Sequence, residues 1–402
     1  MTNATEADVL IIGGGGAGCS AALHLAWRGA RVILLERGLV GSQASGVNYG
    51  GVRQQGRHPA ELPIAVRSHE MWRRLPELIG TDCEFVQSGH LKLARSEAEA
   101  AELVAYLDVA REHGLQLDFL DGTALRKQFP WLGPAAIAGS FSPEDGSANP
   151  RLLAPALARA ARQAGATILE QTRVTACRHE GGRFVVEVGS QHFVAARLLN
   201  TAGFWGGQVA EWFGEPVPVR HHTPNMMVTE PISYFIQPNI GVVGGNVYMR
   251  QIPRGNVIIG GGQGMGDPTI PMSRPLPQVT LLAMQRAAAL VPALEGVSII
   301  RSWSGIDGIM PDKIPVVGPS STTPGLIHAF GFSGHGFQLG PAIGAILCEL
   351  ALDGRTDVAL DGLSIRRFLP SQDCRAVGTE PRHVRAPASH QGAAPIAQDP
   401  RC

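Results

Sequence analysis

The chain is 402 residues long, 44% hydrophobic and 17% charged, which excludes a disordered protein and exceeds what one compact core organises. Lysines plus arginines equal aspartates plus glutamates at 34 each, and this balance argues against nucleic acid as the main partner. The six cysteines (Cys19, Cys83, Cys177, Cys348, Cys374, Cys402) form no CxxC pair, so no zinc or iron–sulfur site is signalled and the thiols read as reduced.

Residues 7–12 form a short apolar run suited to a buried parallel strand, broken by the glycines at 13–18 and followed by helix formers at 19–28. A second apolar run, 31–35, ends at Glu36, which completes a βαβ unit. The N-terminus lacks a basic region ahead of its apolar run, so it reads as a strand and not a signal peptide. A Ser/Gly-rich loop at 41–51 precedes a predicted helix over 63–78, an alternating strand over 82–93 and an Ala/Glu/Leu-rich helix over 97–114. The Pro/Gly/Ser-rich stretch 129–150 suits a crossing between domains. Helix 151–164 and strands at 167–170, 184–188 and 198–201 follow. Residues 217–318 read as strands with one helix near 276–290, and the chain closes with a strand at 326–329 and a helix around 341–352. The last thirty residues have no periodicity and read as a disordered tail. No apolar stretch approaches the roughly 20 residues that span a bilayer. The expected location is therefore the cytoplasm or the periphery of the inner membrane.

Gly13-x-Gly15-x-x-Gly18 stands between strand and helix, the context that makes this motif specific for a dinucleotide. The first glycine permits the turn, the second admits a pyrophosphate, and the third lets helix and strand pack. Glu36 can accept bonds from ribose hydroxyls and would repel a 2′-phosphate, so FAD and NAD remain and NADP is disfavoured. A second fingerprint fails at 260–266, where no register supplies the third glycine and Asp267-Pro268 follows. One such site fits either an NAD dehydrogenase or a flavoenzyme drawing electrons from its substrate.

Four segments spread over about residues 8–370 resemble the D-amino-acid oxidase superfamily of FAD enzymes. They are the fingerprint with Glu36-Arg37; Gly41-Ser42-Gln43-Ala44-Ser45 leading to Gly50-Gly51-Val52-Arg53; Asn200-Thr201-Ala202-Gly203-Phe204-Trp205; and Trp303-Ser304-Gly305 through Pro311-Asp312 with Gly331 to Gln338. That superfamily includes glycine and sarcosine oxidases, the beta subunits of opine oxidase and D-hydroxyproline dehydrogenase, and the hydrogen cyanide synthase subunit that oxidises glycine. The resemblance implies an α/β fold, with a Rossmann-like FAD-binding domain of the GR2 type and an inserted antiparallel-sheet substrate domain. Residues 1–80, 145–220 and 320–370 would bind FAD; 81–144 and 221–319 would bind substrate; 371–402 would be the tail.

The resemblance also implies site roles. Gly13, Gly15, Gly16, Ala17, Gly18, Glu36, Arg37, Ser42, Ser45, Gly50, Gly51 and Val52 would serve the cofactor. So would Val174, Ala202, Gly203, Trp205 and the run Gly334, His335, Gly336, Phe337, Gln338, which opens the last helix beneath the flavin. Gly305 stands about where relatives attach flavin to cysteine, and Asn48-Tyr49-Gly50-Gly51 lacks the histidine used by the dimethylglycine dehydrogenase branch, so noncovalent FAD follows. Gln338 and Asp307 replace a carboxylate-binding lysine and arginine of relatives. The substrate carboxylate then falls to Arg250, Arg53 or Arg57, with Tyr248 covering it and His335 and Gln338 near the reacting centre. Such a site would take a hydride from the carbon beside nitrogen in a small amino or imino acid. No lysine lies within 245–265 to activate oxygen, which favours a dehydrogenase passing electrons to a partner subunit or quinone. A flavin-bearing subunit that only relays electrons in a heteromer is the competing expectation.

Overall fold

Strand burial sets apart two large sheets of different character in the computed structural model, which describes residues 4–369. Strands Val9–Ile12, Val32–Leu35 and Leu326–Phe330 are buried along their whole length, and Arg197–Asn200 at all but its first residue. Strands covered on both faces pair in parallel, and these four do, with Thr167–Leu169 at one edge. Val316–Pro319 closes the other edge in the antiparallel sense, making six strands.

Alternation then sorts the side chains. Val9, Ile11, Val32, Leu34 and Leu199 join a core with helices Gly16–Trp27, Leu62–Arg73, Pro150–Gln163 and Gly336–Asp353. Leu10, Ile12, Ile33, Leu35 and Leu198 face Phe184, Val186 and Phe193 of a four-stranded sheet. Helices, central sheet and outer sheet thus form three layers, the outer one made by Ala4–Glu6, Gln191–Ala195, Arg183–Val188 and Ala176–Glu180.

The second large sheet has eight strands, in the order Ile299–Trp303, Pro224–Pro231, Asn256–Gln263, Tyr248–Gln251, Asn239–Val242, His90–Ala94, Ala138–Ser142, Asp118–Leu120. All neighbours are antiparallel except Asn239–Val242 and His90–Ala94, which pair in parallel with Lys92 opposite Gly241. That pair joins two separate excursions of the chain into one sheet. Helix Pro277–Leu290 packs Ala283, Ala287 and Leu290 against its apolar face.

Several expectations shift. The helix expected over 63–78 breaks at Arg74 into Leu62–Arg73 and Leu75–Ile79. The strand expected over 82–93 shortens to His90–Ala94, because Cys83 and Glu84 turn the chain with φ of 54° and 56°. The stretch read as a crossing at 129–150 carries the strand Ala138–Ser142; its small residues hid a buried strand. The last helix begins at Gly336, five residues ahead of Pro341, whose carbonyl accepts from Ser20 Oγ at 2.8 Å. A Cβ on Gly344 would stand 2.2 Å from that same Oγ, so glycine lets this helix lie against Gly16–Trp27. By length and composition Gly336–Asp353 could cross a membrane, yet residues 337–348 are all buried, as in a core helix. Cys19, Cys83, Cys177 and Cys348 are buried and unpaired, whereas the tail expected at 371–402, with Cys374 and Cys402, lies outside the described residues.

Candidate active site

A cavity of about 950 Å³, at the top of the range that ligand pockets occupy, runs between the central sheet and the eight-stranded sheet. One end is the strand–turn–helix of the fingerprint. Gly13 turns with φ 107°, and a Cβ there would lie 2.4 Å from Thr201 O. Gly18 is closer still, since its Cβ would meet Gly13 O at 2.0 Å. Gly15, Gly16 and Ala17 line the cavity at the start of helix Gly16–Trp27, which has no side-chain cap and no acid in its first turn. Gly16 N donates to Ser45 Oγ at 3.0 Å. An uncapped helix start with its positive dipole end fits a pyrophosphate.

Glu36 is buried beside this turn, its Oε2 accepting from Gly14 N at 2.6 Å and its Oε1 from Gly38 N at 2.7 Å. Burial raises its carboxyl, while those two backbone bonds and Arg37 oppose the shift. Each oxygen keeps lone-pair capacity for a ribose hydroxyl. The Arg37 guanidinium lies 4.1 Å from the Trp205 ring centroid, and Val174 lines the wall nearby. These glycines, the open helix start and the buried acid fit the adenosine and pyrophosphate part of FAD.

The far end carries the charge. The Tyr49 and Tyr248 rings pack in a tilted pair at a 4.8 Å centroid separation, the Tyr248 hydroxyl donates to Met226 Sδ at 3.4 Å, and burial pushes that phenol up. Arg57 is 3% exposed and lines the cavity, yet its Nε and Nη1 are buried with no hydrogen-bond partner among the described residues. Burial, then the like charge of Arg53, pulls this guanidinium down to about 9. Asp307 also lines the cavity; burial raises its carboxyl to about 6 against bonds from the Gly308 and Gly334 backbone. His335, at the start of the last helix, contacts Glu61 Oε1 through Nδ1 at 2.8 Å. Burial, aided by Arg57, holds the His335 ring down to about 4, so it is neutral with its proton on Nδ1, the atom facing a carboxylate.

Twenty of the residues expected from sequence line this cavity: Gly13, Gly15, Gly16, Ala17, Glu36, Arg37, Ser42, Ser45, Gly51, Arg53, Arg57, Val174, Ala202, Gly203, Trp205, Tyr248, Gly334, His335, Gly336 and Phe337. Five do not. Gly18 serves helix–strand packing, and Val52 is fully buried, paired with Gly146. Gly50 sits against the Arg250 guanidinium, where a Cβ would lie 3.0 Å from Nη2. Arg250 is buried outside the cavity lining, its Nε donating to the Tyr49 carbonyl. Gln338 is fully buried, its Nε2 donating to Ala65 O at 2.8 Å and its carbonyl accepting from Trp72 Nε1 at 2.9 Å, which ties two helices together.

Sequence reading overlooked Glu61, His90 and Lys92, and counted Asp307 only as a missing arginine. The search for a lysine stopped at 245–265, but strand His90–Ala94 brings Lys92 to the wall beside Gly241. Only the strand pairing reveals it.

Residues 8–350 match the family described as FAD dependent oxidoreductase. Sarcosine oxidase subunit beta of Rhizobium meliloti (strain 1021) is 28% identical, covering 90% of this chain and 88% of its own length. Glycine oxidase of Geobacillus kaustophilus (strain HTA426) is 30% identical over 90% of this chain and 97% of its own. The crystal structure of glycine oxidase from Geobacillus kaustophilus superposes with a TM-score of 0.83 at 26% identity, over 91% of this chain and 100% of that one. These likenesses overturn the NAD reading and agree with the cradle: the chain belongs to the FAD-dependent oxidoreductase family, and the protein is an enzyme that uses FAD.

Proposed function

We propose that this protein oxidises the C–N bond of a small amino or imino acid such as D-proline, D-hydroxyproline, sarcosine, glycine or an opine, giving an imine. The observation that carries this reading is Arg57, whose Nε and Nη1 are buried without a hydrogen-bond partner among the described residues, on the wall of a cavity whose other end suits the nucleotide. A cation stripped of water and left without an acceptor is matched to an anion that arrives with the ligand. Bound FAD supplies the hydride acceptor.

Arg57 takes the carboxylate in a bidentate grip, and the Tyr49–Tyr248 pair shields that contact from water. Asp307 receives the ammonium end, and in its carboxylate form accepts the proton that leaves nitrogen. The Glu61–His335 contact fixes the ring at the mouth of the last helix, with Nε2 free of its proton. The helix start, Gly334 to Phe337, presents positive dipole to whatever negative charge develops beside it.

In this reading residues 1–80, 145–220 and 320–370 hold FAD, and 81–144 with 221–319 hold the substrate. The cofactor is noncovalent: a Cβ at Gly305 would already meet Val47 Cγ2 at 2.2 Å, leaving no room for an attaching side chain. With Lys92 on the wall, the lack of lysine at 245–265 no longer argues for a dehydrogenase, so the acceptor is oxygen, a quinone or a partner subunit. Similarity to a protein named as a subunit supports the last. The test is anaerobic addition of each amino acid to the purified yellow protein. Bleaching by one of them supports the reading, and no bleaching by any amine or amino acid refutes it. Peroxide release in air then separates oxidase from dehydrogenase, and acid precipitation that leaves flavin in solution checks the noncovalent link.

A further inference from the structure

One α-carboxylate needs one guanidinium, and Arg57 supplies it; Arg53 and Lys92 are left over on the same wall. A Cβ on Gly56 would lie 3.2 Å from Lys92 Nζ and 3.4 Å from Arg53 Nη1, so both cations converge on one short stretch of the cavity surface. Gly56 turns there with φ 75°, so backbone rather than side chain occupies the space between them.

The acids around this stretch are engaged elsewhere. Both Asp145 oxygens are taken by Gln54 N at 2.7 Å and Gln55 N at 3.2 Å. Glu61 faces His335. Glu102 acts on Lys92 only as a distant charge and forms no ion pair with it within 4.0 Å. His90 accepts from Gln55 Nε2 at 2.8 Å and adds no negative charge. Arg53 donates Nη1 to the Gln55 carbonyl and, like Lys92, makes no ion pair among the described residues. Like charges brought together in a partly buried wall repel one another unless an anion joins them.

Granted the amine-oxidising reading above, we infer that the substrate is an amino or imino dicarboxylate, its second carboxylate held between Arg53 and Lys92. The cations would grip the end of the molecule remote from the reacting C–N bond, so chain length between the two carboxylates sets specificity.

The test uses the full chain with FAD and achiral compounds, which removes handedness as a variable. N-(carboxymethyl)-, N-(2-carboxyethyl)- and N-(3-carboxypropyl)glycine are each compared with the amide of the remote carboxylate, and all with sarcosine. Flavin reduction gives kcat/KM, and spectral titration with the thioether isosteres, which lack the amine, gives Kd without turnover. Expected is a preference of about tenfold or more for at least one diacid over its amide by both readouts, the worth of one charged hydrogen bond. Lys92→Met should collapse that ratio, and Lys92→Arg should preserve most of it. Absence of a diacid preference throughout the series, or a ratio that survives Lys92→Met, overturns the inference while sarcosine oxidation leaves the amine reading standing. Failure of every amine to reduce the flavin removes both.

Discussion

Arg57→Met should make the fold more stable and the enzyme worse. Methionine approximates the length of the arginine stem but removes a guanidinium whose Nε and Nη1 have no partner. The pull of burial and Arg53 down to about 9 sets an upper limit on the order of 5 kcal/mol on what this charge costs the fold. Relaxation of the polar groups around it offsets part of that cost, so the expected gain is about 1–3 kcal/mol. For a chain of this size that is roughly 1–4 °C in Tm, read by scanning the FAD-loaded protein without substrate. The same substitution removes the carboxylate's charged partner, and kcat/KM for the best amine should fall roughly 10–1,000-fold. FAD content checks that the cradle is intact. A variant that melts earlier and turns over normally would refute the reasoning, because Arg57 would then be a structural cation with an acceptor of its own.

Three further outcomes follow from the same geometry. In Asp307→Asn the limb of kcat/KM that rises with pH through about 6 should vanish, and the rate at pH 8 should drop about 10–100-fold; a pH profile that keeps its limb would count against Asp307 as the amine's partner. Glu36→Gln leaves one acceptor where Gly14 N and Gly38 N both donate, so FAD affinity should weaken roughly tenfold or more in a flavin-fluorescence titration. Burial alone would raise the Glu215 carboxyl, but bonds from His328, Ser320 and Ser321 hold it down to about 2. A lowered folded value means the stabilisation is full above the ordinary 4.5 and lost as pH falls towards 2. Glu215→Gln should therefore cost about 3 kcal/mol at pH 7, with the gap in denaturant midpoint closing across that acid window.

What could be read from the chain was local. The turn at Gly13 to Gly18 is built from neighbours in sequence, and its strand and helix periods announce it. Arg250 shows where such reading stops. Alternation correctly sets Tyr248 and Arg250 two apart on one strand, but the loop at Tyr49 and Gly50 lies over the arginine and takes its donor. Gln338 is a related case: a polar residue near a glycine-rich turn resembles a ligand contact, while its amide donates to Ala65, on a helix more than 270 residues earlier. Arg57 was named among three candidates, but nothing in its neighbours says that two of its nitrogens go unmatched. Lys92 depended on a strand pairing that no composition encodes.

That parallel pairing has a consequence for how the protein is made. Asn239 lies opposite His90, 149 positions later in the chain. During synthesis at roughly 5–20 residues per second, one edge of the first excursion waits on the order of 10–30 s for its partner to emerge. Leu91 and Leu93, wholly buried in the finished molecule, are meanwhile on a strand with one row of backbone donors and acceptors open. The seam that later places a lysine in the cavity is thus a point where the nascent chain can pair with another copy of itself, and where a chaperone would have an open edge to cover.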